Sequence, residues 1–86
     1  MFYFYILRCK DDSLYCGYAN DLTKREQDHN SGKGSKYVHA KGGGKIIYSE
    51  KFATLSEALK RETQVKSWSR KKKLQLIILP SAKKSE

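Results

Sequence analysis

The sequence predicts an α+β domain of order ββαβαα with a small sheet. Runs rich in aromatic and β-branched residues at 2–9, 14–18 and 45–52 are bounded by turn residues. Apolar residues at helical spacing follow cap-forming residues near Asp21, Thr54 and Ser69. The chain has 86 residues, 38% hydrophobic and 12% aromatic, enough for one modest core and too apolar for a disordered polycation.

The segment FYFYILRC at 2–9 reads as a strand, with Phe2, Phe4 and Ile6 on one face and Tyr3, Tyr5, Leu7 and Cys9 on the other. Lys10-Asp11-Asp12-Ser13 supplies turn chemistry, and Leu14 to Tyr18 returns as the hairpin partner. A three-residue loop, pairing Lys10 with Leu14, puts Tyr5, Tyr15 and Gly17 on one face and leaves the opposite face nearly apolar. A two-residue loop would separate the tyrosines, so the apolar partition favours the longer loop.

Asn20 or Asp21 caps a helix to about Asn30, with the stripe Leu22, Arg25, Glu26 and His29 and a stop at Gly32. Residues 32–44 read as a glycine-rich loop, long enough to mark a binding or mobile segment. Lys45 to Phe52 is the third strand. Thr54-Leu55-Ser56-Glu57 has the form of a capping box and opens a helix to about Trp68. Ser69 caps a last helix over 70–79, with a strand as the rival for the short apolar run 74–79. Residues 1–79 are expected to form one domain and 80–86 a disordered basic tail.

Eighteen Lys and Arg against nine Asp and Glu give a net charge of +9. Residues 60–73 hold seven Lys or Arg and a single acid, Glu62. That concentration predicts salt-sensitive attraction to a polyanion, nucleic acid first. Lys33, Lys36 and Lys41 in the loop, with Lys66, Arg70, Lys71 and Lys72 in the basic stretch, are the candidate contacts. Cys9 and Cys16 form no CxxC pair and read as small apolar strand residues rather than a disulfide or zinc site. The N-terminus lacks the basic lead of a signal peptide and no apolar run reaches a membrane span, so the expected location is the cytoplasm.

Glu62 is the most informative acid. Positions 55, 58, 59, 62 and 65 share one helix face, and the other four are apolar. A carboxylate there is partly desolvated and calls for a partner: Arg25, a lysine, or a divalent metal. Magnesium accepts one or two carboxylates when water and substrate phosphate complete its shell.

Tyr3-Phe4-Tyr5, Tyr15-Cys16-Gly17, Arg25, His29 and Glu62 together resemble the GIY-YIG nuclease domain. The stretches Ser31 to Tyr37 and Ser56 to Glu62 are most similar to the small standalone bacterial proteins of that family, and the N-terminal nuclease domain of excinuclease C is a further member. The resemblance covers residues 2 to about 78 and implies a three-stranded antiparallel sheet flanked by helices. It implies that Tyr5 or Tyr15 is the general base on the attacking water, or orients it. His29 could polarise the water or a tyrosine hydroxyl, and which of the three is the base stays open. Arg25 would hold the scissile phosphate. Glu62 would bind one Mg²⁺ or Mn²⁺. Gly17 would leave the strand open to the substrate backbone, with nearby cations lowering the tyrosine pKa.

The resemblance thus implies a metal-dependent endonuclease or nickase acting on nucleic acid, DNA first, with repair or recombination as the family's setting. The first triplet carries Tyr3 where the family has glycine, the second carries Cys16, and 70–74 lacks a family asparagine. With only the nuclease-like module present, specificity is expected from a protein partner, and a monomer is expected over a dimer. The alternative is a basic nucleic-acid-binding module that cuts little or nothing.

Overall fold

The computed structural model describes residues 1–78; the expected helix end at 79 and the basic tail at 80–86 lie outside the described residues. Its elements are β1 (Phe2–Cys9), β2 (Leu14–Ala19), α1 (Leu22–Asn30), α2 (Lys36–Ala40), β3 (Gly44–Phe52), α3 (Leu55–Lys66) and α4 (Arg70–Ile78). The strands form an antiparallel sheet in the order β2-β1-β3, so β1 is central. A central strand covered on both faces cannot alternate apolar with polar, which explains the unbroken run Phe4 to Leu7.

The sheet divides the interior in two instead of the single core expected. On one face Tyr5, Leu7, Cys9 and Ala19 pack with Val38 of α2 and Leu22 of α1. On the other, Phe4, Ile6 and Cys16 pack with Val65 of α3 and with Trp68, Leu76 and Ile77. Both cysteines are buried and free.

The hairpin register departs from the expected one. Arg8 pairs with Leu14 and Tyr5 with Gly17, and Cys9 bonds to Ser13, so the three residues that turn are Lys10 to Asp12 rather than Asp11 to Ser13. The turn chemistry decides this. Asp12 N–H donates to the Cys9 carbonyl at 2.9 Å, Cys9 N–H donates to the Ser13 carbonyl at 2.8 Å, and Asp12 takes a φ of 76°. Asp tolerates that left-handed region because its short polar side chain can bond locally. The shift is by two residues, so Tyr5, Tyr15 and Gly17 keep their common face.

The stretch expected to be one long loop contains α2. Ser35 Oγ accepts from Tyr37 N–H at 3.1 Å and caps it, and fully buried Val38 anchors it. Five residues with one apolar anchor leave too little periodicity to read. Gly42 and Gly43, both at φ 87°, then turn the chain into β3. The later helices agree with expectation. Thr54 and Glu57 make both bonds of the capping box, and α4 is a helix, with Ser69 Oγ accepting from Lys72 N–H at 3.2 Å. No described helix is long and apolar enough to cross a membrane.

Candidate active site

Tyr5 lies at the middle of the central strand, and its hydroxyl is 2.8 Å from Nε2 of His29 in the last turn of α1. Both are buried, at 2% and 1% exposure. Tyr15 of β2 stands edge-on to His29, ring centroids 5.3 Å apart, and lies 6.4 Å from the Tyr5 ring. Arg25, half-buried, sits one helical turn before His29.

Side chains of α1 hold that helix against β3. Glu26 Oε1 accepts from Ile46 N–H at 2.7 Å, where the β1–β3 register slips between Ile6 and Leu7. Asn30 Oδ1 accepts from Gly44 N–H and its Nδ2 donates to the Gly44 carbonyl, both at 2.9 Å. These bonds fix the depth at which Arg25 and His29 reach the sheet.

Two glycines leave room for the pair. A Cβ on Gly17 would lie 2.6 Å from the Tyr5 hydroxyl oxygen and 3.2 Å from the Tyr15 ring. The space expected to admit substrate backbone is therefore filled by Tyr5 itself, and Gly17 is buried. A Cβ on Gly34 would lie 2.6 Å from His29 Nδ1.

The tautomer of His29 follows from its partners. Ser35 N–H donates to Nδ1 at 3.3 Å, so Nδ1 carries no proton and, in the neutral ring, Nε2–H donates to Tyr5 Oη. Burial, with Arg25 adding to it, holds His29 below the ordinary imidazole value of 6.5, so the ring is neutral at pH 7. Burial and the neighbouring Tyr15 push the Tyr5 hydroxyl well above the usual phenol range, and Arg25 only partly opposes them. The expected lowering by cations does not occur, because a hydroxyl in the core is penalised more for ionising than one arginine compensates.

Glu62 on α3 lies near enough for its charge to raise the pKa of Tyr5 and of Cys16. Its side chain is 15% exposed and pairs with Lys66 Nζ at 3.5 Å, so a lysine is its partner in the protein. No group of three or more His, Cys, Asp or Glu among the described residues could hold a metal.

Residues 1–75 match the family model of the GIY-YIG catalytic domain. The chain belongs to the GIY-YIG family. It is 53% identical over 75 residues to a UPF0213 protein of Staphylococcus saprophyticus, covering 87% of this chain and 92% of that one. A UPF0213 protein of Bacillus pumilus is 55% identical over 71 residues, covering 83% and 72%. The solution NMR structure of a UPF0213 protein from Bacillus halodurans matches with a TM-score of 0.58 at 40% identity, covering 99% of this chain and 95% of that one.

Around this GIY-YIG site the candidate nucleic-acid contacts divide. Lys33, Lys36 and Lys71 are exposed. Four others already have partners: Lys41 pairs with Asp11 at 3.0 Å, Lys66 with Glu62, Arg70 donates to the Asp12 carbonyl at 2.7 Å, and Lys72 lies 4.3 Å from the Trp68 ring centroid. Sequence reasoning does not find the roles of Glu26, Asn30, Gly34 and Ser35. Ser35 carries a readable cap signal. Glu26 and Asn30 act through contacts 20 and 14 residues away, and Gly34 acts by the space it leaves, none of which sequence spacing reveals.

Proposed function

We propose that this domain is a divalent-metal-dependent endonuclease or nickase that hydrolyses phosphodiester bonds in nucleic acid, DNA in our reading. The observation that supports it is the buried Tyr5–His29 hydrogen bond, with Tyr15 against it and Arg25 one turn away. A structural pair alone would not call for an arginine beside two groups whose burial already disfavours charge. A phosphate entering there would.

Neutral His29 donates Nε2–H to Tyr5 Oη, and Tyr5 keeps its own proton at neutral pH. Tyr5 therefore orients the attacking water or a phosphate oxygen rather than taking a proton. Both His29 nitrogens are engaged, which leaves Tyr15 to take the proton of the water, a step that requires Tyr15 in its phenolate form. Arg25 holds the scissile phosphate and offsets its developing charge.

Glu62 is a single hard oxygen donor. That donor set fits Mg²⁺ or Mn²⁺ only where water and phosphate oxygens supply the remaining ligands. When bound, the ion polarises the phosphate and stabilises the leaving oxygen. Cytoplasmic location, a monomeric state, a protein partner that supplies specificity and a repair setting belong to this reading by family analogy.

The test is nicking of supercoiled plasmid with Mg²⁺ or Mn²⁺ by the wild type, Glu62→Gln and Tyr5→Phe. Cutting that a chelator and both substitutions abolish is the expected result. The Glu62–Lys66 pair favours a second reading, a module that binds without cutting, because Glu62 already has a cation. No cutting of plasmid, single strands or branched DNA, with salt-sensitive binding intact, would establish that alternative.

A further inference from the structure

Tyr37 is 45% exposed, although it stands on a well-anchored element and directly beside the site. Its ring stacks on Tyr15 with centroids 6.0 Å apart and planes inclined by 24°, and Tyr15 in turn touches His29. Lys41, one turn further along, sets its Nζ 5.4 Å from the Tyr37 ring centroid, and Asp11 holds it there at 3.0 Å. The core contact of α2 is made by Val38, so Tyr37 is not needed to bury the helix. The result is a half-exposed aromatic ring with a lysine ammonium over part of it, joined through Tyr15 to the candidate catalytic pair.

We propose that Tyr37 is a stacking platform for an unpaired nucleobase, so that the site takes single-stranded or locally unpaired nucleic acid in preference to intact duplex. A base inside a duplex has both faces covered by its neighbours; only an unpaired base can lie on a tyrosine. Stacking reads no particular base, which suits a domain with a basic surface. Exposed Lys33 and Lys36 on the same segment supply charge for the phosphate next to the stacked base.

This inference rests on the nucleic-acid reading of the site and not on cleavage. The test is metal-free binding to a labelled single-stranded DNA of about 12 nucleotides and to a duplex of the same length, at one fixed salt concentration. Wild type is expected to prefer the single strand. Tyr37→Ala is expected to lose about tenfold in single-strand affinity and with it the preference, since one stacked base is worth about that factor. Tyr37→Leu, which keeps apolar bulk without a π face, should behave as the alanine variant, and Tyr37→Phe as wild type. Tyr18 is a matched control, 42% exposed and on the opposite sheet face beside Phe4; Tyr18→Ala should keep the preference. Wild type binding duplex as tightly as single strand overturns the proposal. So does a folded Tyr37→Ala that keeps the preference, or a Tyr18→Ala that loses it equally. Plasmid nicking is read separately: a wild type that cuts nothing but shows a Tyr37-dependent preference overturns the nuclease reading and supports the platform.

Discussion

Gly17 and Gly34 approach the Tyr5–His29 pair from opposite ends, and each leaves space for one of its polar atoms. Tyr5 has little freedom to yield, because its ring is in the core and its hydroxyl is bonded to His29. Gly17→Ala is therefore expected to destabilise the fold by about 1–3 kcal/mol in urea titration, as overpacking does, and to reduce nicking as Tyr5 shifts. Tyr5→Phe keeps the ring and removes only the hydroxyl. Nicking should fall by at least about 100-fold, to background, while circular dichroism stays that of wild type. His29 gives the pH dependence. Its folded pKa lies below 6.5, so the unfolded chain binds the proton more readily. The stability tied to neutral His29 is complete above that value and is lost as pH falls through the folded pKa. The thermal midpoint should drop between about pH 7.5 and about pH 5.5, and His29→Gln should flatten that slope. The family resemblance put Tyr5 and His29 in one candidate site. It did not show which would be charged, because that depends on burial from several elements at once.

At the scale of elements, strands and long helices declared themselves and short connections did not. The Thr54 capping box was readable because its two bonds close within three residues. Thr54→Ala should cost about 1 kcal/mol in urea while leaving nicking per folded molecule unchanged, since Thr54 lies outside the site. The hairpin was legible in its faces and not in its register. Alternation fixes parity, whereas the local bonds of Cys9, Asp11, Asp12 and Ser13 select where the turn falls. Helix α2 was hidden in a polar, glycine-rich stretch, yet it supplies Val38 to the core and carries Tyr37 beside Tyr15. Just before it, Ser35 supplies the N–H that sets the His29 tautomer.

For the whole molecule the relevant quantity is charge. A net +9 predicts that nucleic-acid affinity falls steeply with added salt, and each phosphate contact contributes about 0.9 to the slope of log affinity against log salt. Lys71 is exposed and Lys72 lies exposed beside Trp68. Replacing both with alanine should reduce that slope by about 1 to 2 in a binding titration over a range of salt, with little change in circular dichroism. An unchanged slope would place the phosphate path elsewhere, toward Lys33 and Lys36.

The sequence by itself determined the order of strands and long helices, the common face of Tyr5 and Tyr15, the helical turn between Arg25 and His29, and the basic surface. Each depends on residues near one another in the chain, through a period of 2 or 3.6 or a summed charge. Tertiary structure alone decided the rest. Tyr5 filled the space at Gly17, and two of the expected phosphate-binding cations, Lys41 and Arg70, were drawn to Asp11 and Asp12. Those outcomes depend on which groups meet from distant parts of the chain, and the packing there sets both the space and the charge each group can keep.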